Sequence, residues 1–307
     1  MNAFLRRCFL IAVIRLCLGV ATADTFRVAT YNVETYLDQP TKTRKIKSDA
    51  AKLKVRESIR AVHPDVLAIE EMGELSALQE LRSSLKSDGL DYPYWELLHG
   101  FDTNIHIAIL SRFEITARRL HTNDSFLASG RRHHVSRGFA ELDVQVNPNY
   151  QFTLLAAHLK SKRAVGEADE SELRAEEAKI LREKIDARLA ADPNVRLVVL
   201  GDFNDTHDSP AVKTVIGTGK KKLVDTHPAE RNGEATAAPN ADVESRAIRW
   251  THYFPKEDTY SRIDFVLLSP AMARNWIPAD TYVLALPHWG IASDHRPIVA
   301  TFESAEK

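Results

Sequence analysis

The 307-residue sequence predicts an α/β fold built on mixed β-sheet, and three observations carry that reading. Apolar runs of strand length recur along the chain. Helical periodicity separates only some of them. Others follow one another across tight turns such as Asn147-Pro148-Asn149, which a strict βαβ repeat does not allow. The strand-like runs are Phe26 to Val33, Val66 to Ile69, His106 to Phe113, Phe139 to Val146, Phe152 to Leu159, Leu197 to Leu200, Ile263 to Leu268 and Pro297 to Phe302. After the first of these, Ala50, Leu53, Ile59 and Val62 fall on one helical face, which His63-Pro64 closes because proline cannot continue a helix. Leu173, Ile180, Leu181, Ile185 and Leu189 mark a clearer amphipathic helix that ends before Asp192-Pro193. Thr226 to Val243, with Pro228, Asn232-Gly233 and Pro239-Asn240, reads as a long surface loop, either an insertion at the rim of a site or a passive excursion. No repeat and no linker divides the chain, so residues 24–307 read as a single domain.

Residues 1–23 stand apart from this pattern. Arg6-Arg7 precedes Cys8-Phe9-Leu10-Ile11-Ala12-Val13-Ile14 and Leu16-Cys17-Leu18, and Ala21-Thr22-Ala23 offers a small-residue cleavage pattern before Asp24. That is the make-up of a secretory signal peptide. A retained membrane anchor is the competing reading, and Arg15 interrupts the apolar core. The expected location is secreted or periplasmic. Loss of the three leader arginines moves the formal charge from −1 to −4, so the mature chain is mildly acidic. Both cysteines, Cys8 and Cys17, lie in the leader; the mature protein forms no disulfide and folds by packing alone. With neither cysteine nor histidine clusters in the sequence, no structural zinc site is expected.

Polar side chains gather where the apolar runs stop. Gly201-Asp202-Phe203-Asn204 follows Leu197-Val198-Val199-Leu200. In an extended chain Asp202 and Asn204 share one side while Phe203 turns toward packing. A proton acceptor beside a hydrogen-bond donor suits phosphoryl chemistry, and a turn in which both satisfy local backbone groups is the alternative. Asn32 lies near the end of the first run, and Glu70-Glu71 ends the second. Glu71 supplies the carboxylate that a hard divalent cation needs, with Asn32 completing or orienting the site, unless the pair merely begins a solvated segment. His158 sits late in an apolar strand, and Asp264 lies within Ile263 to Leu268, where an unpaired charge is costly and a histidine or metal is the natural partner. Ser293-Asp294-His295 places an acid beside an imidazole just before the last strand.

In this order, Tyr31-Asn32-Val33, Ile69-Glu70-Glu71, Ala157-His158-Leu159, Gly201-Asp202-Phe203-Asn204, Arg262-Ile263-Asp264-Phe265 and Ser293-Asp294-His295 resemble the endonuclease/exonuclease/phosphatase superfamily, the deoxyribonuclease I-like proteins. The resemblance spans about residues 26–303 and implies a four-layer α/β sandwich, two packed mixed β-sheets flanked by helices, with a cleft at one edge. It implies that Glu71 binds a metal, Mg²⁺ or Mn²⁺, with Asn32 beside it and Asp294 as a further or outer ligand. Asp202 and Asn204 resemble the pair that aligns nucleophile and scissile phosphate. His295 resembles the general base or acid, Asp264 the carboxylate that orients a histidine, and His158 the histidine that contacts the phosphate. Arg137 matches a cationic or tyrosine position of the middle third, with a solvated charge in the basic loop Arg131-Arg132-His133-His134 as the alternative. Glu70 departs from the family, which often has glutamine there. The implied activity is phosphoester hydrolysis, with nucleic acid as the expected substrate. Lys42, Arg44, Lys45 and Lys47, then Lys160, Lys162 and Arg163, are basic residues able to meet phosphates, although solvated faces explain such runs as well. A small phosphoester or lipid headgroup is the alternative substrate, and a non-catalytic binding module the remote one.

Overall fold

A computed structural model of the chain describes residues 24–304, apart from 164, 165, 167 and 232–246. The leader and most of the Thr226 to Val243 stretch therefore lie outside the described residues. Within that stretch, Ala229–Glu230 is a short edge strand rather than free loop.

All the predicted strands form, several of them longer than the apolar run alone: Thr25–Tyr36, Val66–Met72 and Leu197–Asp202 each extend into polar residues. They make two sheets. The seven-stranded sheet runs in the spatial order 229–230, 276–283, 298–303, 25–36, 66–72, 106–111, 94–98. The six-stranded sheet runs 224–225, 264–268, 197–202, 150–158, 139–147, 114–121. Both are mixed, since strand 25–36 is parallel to 66–72 but antiparallel to 298–303, and strand 197–202 is parallel to 150–158 but antiparallel to 264–268.

Alternation along the strands decides the layers. Phe26, Val28, Val66 and Ala68 turn inward to meet Leu154, Ala156, Val198, Leu200 and Val266 of the other sheet. Their neighbours Ala29, Tyr31, Leu67 and Ile69 pack on helices Asp49–Val62 and Leu75–Ser87. On the opposite outer face, Leu155, Leu197, Val199 and Phe265 pack on helices Glu170–Ala191 and Pro210–Ile216. The result is the expected four-layer sandwich. Helix ends are locally specified: Ser48 accepts from the Ala51 N–H, Asp169 from those of Ser171 and Glu172, and His63 leaves its helix at φ 49° just before Pro64. Such caps are each worth about 1 kcal/mol.

Some elements escaped the sequence reading. Strands Tyr94–Leu98, Glu114–His121 and Trp276–Val283 carry polar or charged residues on one face and flank the central strands. Arg131–His134, expected as a loop, is a strand paired with Ser125–Ala128. No helix among the described residues is long and apolar enough to cross a membrane.

The apolar layer between the sheets ends in polar groups. Continuing the inward side of each strand past Val28, Ala68, Ala156 and Leu200 leads to Thr30 and Asn32, to Glu70, to His158 and to Asp202, while Asp264 precedes Val266. All six are buried.

Candidate active site

The six-stranded sheet contributes a row of three side chains. Asp202 is the register partner of His158 on one side and Asp264 on the other. Gly201 permits this tight ladder: its φ is 131°, and a Cβ there would stand 1.9 Å from the Ala157 carbonyl oxygen. Asp202 is then held by amides. Its Oδ1 accepts the Asn204 N–H at 2.8 Å, and its Oδ2 accepts from Asn32 Nδ2 at 3.0 Å and Asn204 Nδ2 at 3.2 Å. Asn204 meets Asp202 as expected but by another route: it lies past the strand at φ 54°, a left-handed turn rather than the next same-side position. Phe203, between them, packs on Phe265 at 5.2 Å between ring centroids.

His295 enters from the start of the last strand. Ser293 fixes it, donating from Oγ to the Asn32 carbonyl at 2.7 Å and accepting the His295 N–H at 3.0 Å. His295 Nδ1 lies 2.9 Å from Asp264 Oδ2, the partner that a buried aspartate requires. Its Nε2 points at Asp202 and Asp294, at 3.8 and 3.9 Å. Burial alone would lower the His295 imidazole, but Asp264, Asp202 and Asp294 outweigh it and hold the ring well above its ordinary value. Burial raises the Asp202 carboxyl, with His295 opposing and Asp264 adding to the rise. His158 has the opposite character. Burial, then the charges of Arg137, His295 and Arg44, push it well below the ordinary imidazole value; its Nε2 is 3.5 Å from Asp202 and its Nδ1 has no partner. Two buried histidines thus face one carboxylate, one protonated and one neutral.

The seven-stranded sheet builds its side by distortion. Pairing slips between Asn32 and Tyr36 and again between Ile69 and Met72, with φ of 46° at Glu34, 56° at Thr35 and 63° at Glu71. The bulge carries Glu71 out of the strand's alternation. Its Oε2 accepts the Thr35 N–H at 3.0 Å and pairs with Arg44 Nη1 at 3.3 Å. Asn32 Oδ1 accepts the Glu34 N–H at 2.9 Å, so its carboxamide ties this bulge to Asp202. Lys47 is buried here and donates to the Glu34 carbonyl at 3.0 Å. Burial lowers its ammonium pKa, against the pull of Glu34, Asp294 and Glu71, so three carboxylates surround one cation. Asp294, which burial alone would raise, is held below the ordinary carboxylate value by His252 and His295.

Glu71, Asn32 and Asp294 offer oxygen donors only, the set that a hard divalent ion takes. That Arg44 and Lys47 already serve as side-chain cations among these carboxylates shows that the locus suits positive charge. Two tight groups, Asp202 with Asp264 and His295, and His252 with Asp294 and His295, also have the make-up of cation ligands; Glu71 belongs to neither.

The remaining sequence candidates find definite places. Arg137 is not a solvated loop charge: it is buried, donates from Nη1 to the Leu159 carbonyl at 3.3 Å and sits 3.6 Å from Asp102. Glu70 neither adds charge at the cation locus nor faces solvent. It is buried under the site, accepts from Thr30 Oγ1 at 2.8 Å, and burial together with Asp264 pushes its carboxyl up to about 8, making it neutral like the usual glutamine. Lys160 is buried and knits its own loop through the Ser161 and Arg163 carbonyls. Sequence reasoning missed Glu34, Ser293 and His252, whose ring lies 4.5 Å from that of His295 and whose Nε2 is 3.7 Å from Asp294. The run Trp250-Thr251-His252 just upstream of Asp264 was the available signal, and Thr251 Oγ1 indeed accepts the Ile263 and Asp264 N–H groups.

A buried imidazole–carboxylate pair, an amide-held aspartate and an oxygen-donor cation locus at one end of the two packed sheets define a phosphoester hydrolase of the deoxyribonuclease I-like kind. The chain belongs to the Endonuclease/Exonuclease/phosphatase family, whose model matches residues 29–295. Members of that family are phosphoester hydrolases that use divalent metals. Among curated proteins no sequence matches. Solved structures share the fold: truncated TDP2 of Caenorhabditis elegans is 16% identical, covering 91% of this chain and 97% of its own, with a TM-score of 0.58. The human Nocturnin catalytic domain is 15% identical, covering 92% and 98%, with a TM-score of 0.61. Sphingomyelinase C of Streptomyces griseocarneus is 16% identical, covering 92% and 100%, with a TM-score of 0.59.

Proposed function

We propose that this chain is an exported metal-dependent phosphodiesterase that hydrolyses nucleic acid. The observation that carries the substrate reading is the cleft beside Asn204, His252 and Asp294, of about 680 Å³, with Lys162 and Arg163 on one wall and Lys256 with Phe254 on the other. A mildly acidic protein gains a polyanion only through such local cations. Phe254 leads into an aromatic group, with Trp250 at 5.0 Å from both Tyr260 and Trp289, that offers faces to unstacked bases.

In this reading the phosphate lies between His158 and Asn204, whose N–H groups stabilise its developing charge. Glu71, with Asn32 and Asp294 beside it, would hold a divalent cation, which would supply charge neutralisation for the phosphate; the oxygen donors favour Mg²⁺ or Mn²⁺. Asp202 aligns the attacking water. His295, steadied through Nδ1 by Asp264, holds the mobile proton at Nε2, between Asp202 and Asp294. The water oxygen bonds to phosphorus and gives up a proton to Asp202 as the P–O bond to the leaving group breaks, the leaving oxygen takes the proton from His295 Nε2, and passage of the Asp202 proton to His295, 3.8 Å away, restores both groups. Residues 1–23 serve as a cleaved leader, so that the exported protein begins at Asp24, a start that N-terminal sequencing reads directly.

A lipid headgroup is the second reading, favoured by the exposed Tyr260 and Ile291 near the same aromatics. Tyr260 belongs to a hairpin of strands His252–Phe254 and Thr259–Ser261, whose tip, Pro255-Lys256-Glu257-Asp258, is charged, which disfavours insertion into a bilayer. Incubating the purified mature protein with Mg²⁺ or Mn²⁺ against plasmid DNA, RNA, bis-p-nitrophenyl phosphate and phospholipid vesicles separates these readings. Chelator-sensitive cleavage of DNA or RNA is expected. Hydrolysis of phospholipid alone moves the assignment to lipids, and no hydrolysis with any metal leaves a binding module.

A further inference from the structure

Glu74, His99 and His106 lie far apart in sequence but form one cluster at the end of the Val66–Met72 strand, sharing no residue with the cleft. His106 Nε2 is 3.3 Å from one Glu74 oxygen and His99 Nε2 is 3.3 Å from the other. The two rings are 4.4 Å apart, inclined at 53°. We propose that these three side chains form a second metal site, selective for Zn²⁺ and separate from the oxygen-donor locus of Glu71.

The donor set decides the ion. Two imidazole nitrogens and a carboxylate are what zinc takes when three protein ligands leave a fourth position open, whereas Mg²⁺ prefers oxygen throughout. The spacing agrees. Ligand atoms about 2.0–2.1 Å from a tetrahedral centre stand about 3.3 Å from one another. Each imidazole Nε2 stands about that far from one Glu74 oxygen, the three donor groups lie within 4.8 Å of one another, and both nitrogen–oxygen distances exceed the length of about 2.7–2.9 Å expected of a charge-assisted hydrogen bond. Glu74 also occupies the N-cap position of helix Leu75–Ser87 yet makes no side-chain cap bond, so its carboxylate serves the imidazoles and not its own helix. His106 Nδ1 has no partner to steady the ring from behind. Such partners are worth about 10- to 100-fold in affinity, so micromolar rather than nanomolar zinc binding is expected.

An ion here ties the turn after Glu71 to the segment between His99 and His106. That segment holds Arg137: Asp102 lies 3.6 Å from it and the Asp102 N–H donates to the Ser136 carbonyl at 2.6 Å. A bound ion would brace the segment that engages Arg137. The sequence shows no histidine cluster; the fold brings these two histidines together.

The test titrates chelator-stripped mature protein with Zn²⁺ in excess Mg²⁺, following heat by calorimetry and, with Co²⁺ in place of zinc, the visible absorption of a tetrahedral centre. His99→Ala alters an exposed ring, and Glu74→Gln removes the carboxylate while keeping its size. Wild type is expected to bind one more zinc than either variant, or to bind it at least about tenfold more tightly, and to gain thermal stability with zinc where the variants do not. Equal stoichiometry, affinity and thermal response in all three proteins would overturn the proposal, since the His252, Asp294 and His295 group is intact in each.

Discussion

The two sheets build their halves of the site by different means. In the six-stranded sheet, His158, Asp202 and Asp264 stand in an unbroken cross-strand row, each placed by ladder hydrogen bonds. In the seven-stranded sheet, Asn32 and Glu71 flank slipped pairing with left-handed backbone at Glu34, Thr35 and Glu71. The regular half is buried, and its two carboxylates face His295. The bulged half is partly open and lined by carboxylates that Arg44 and Lys47 balance. Regular register suits groups that must keep fixed distances to one another, whereas a bulge turns a carboxylate toward an ion at a cost in local strain.

The largest effect is expected at Gly201. Gly201→Ala forces a Cβ to 1.9 Å from the Ala157 carbonyl, so the 150–158 and 197–202 strands must part. A stability loss above about 4 kcal/mol is expected in chemical denaturation, and a variant as stable as wild type would break the ladder account of the regular half. Glu70→Gln tests the neutral floor beneath both halves. The native carboxyl keeps its proton up to about pH 8, whereas an ordinary glutamate releases it near 4.5. Because the folded state binds more protons across that window, native stability falls as pH rises through it. Glutamine removes the dependence, so in chelated protein Glu70→Gln is expected to gain on the order of 3 kcal/mol over wild type near pH 7 and nothing near pH 4. A pH-independent difference in urea unfolding would show that Glu70 is not held neutral. Ser293→Ala is the smallest change. It strands the Asn32 carbonyl and the His295 N–H, which join the halves, and a loss of about 1–2 kcal/mol is expected. A Tm unchanged by the substitution would mean that the halves are joined elsewhere.

The same contrast explains what could be read from the sequence. Asp202, His158 and Asp264 end or begin apolar runs whose alternation continues into the site, so strand patterning pointed to them directly. The helix packing of Leu173, Leu181, Ile185 and Leu189 was legible for the same reason. Glu34 and Lys47 were not, since a bulge has no period and Lys47 looked like one more charge in a basic run. His252 and Ser293 also act through distant partners, His252 on Asp294 and Ser293 on the Asn32 carbonyl, and those contacts no local pattern encodes. Arg137 was half legible: its charge stood out, but its burial against Asp102 depends on the segment after His99.

The most direct test measures initial rates of bis-p-nitrophenyl phosphate hydrolysis against Mg²⁺ and Mn²⁺ concentration for wild type, His295→Ala and Glu71→Gln side by side. If the regular half moves the proton and the bulged half holds the cation, His295→Ala lowers kcat by at least about 10²-fold with little change in the metal concentration for half activity. Glu71→Gln then shifts that concentration upward. Near-wild-type turnover by folded His295→Ala, or an unchanged metal requirement in Glu71→Gln, would contradict the division of labour between the two sheets.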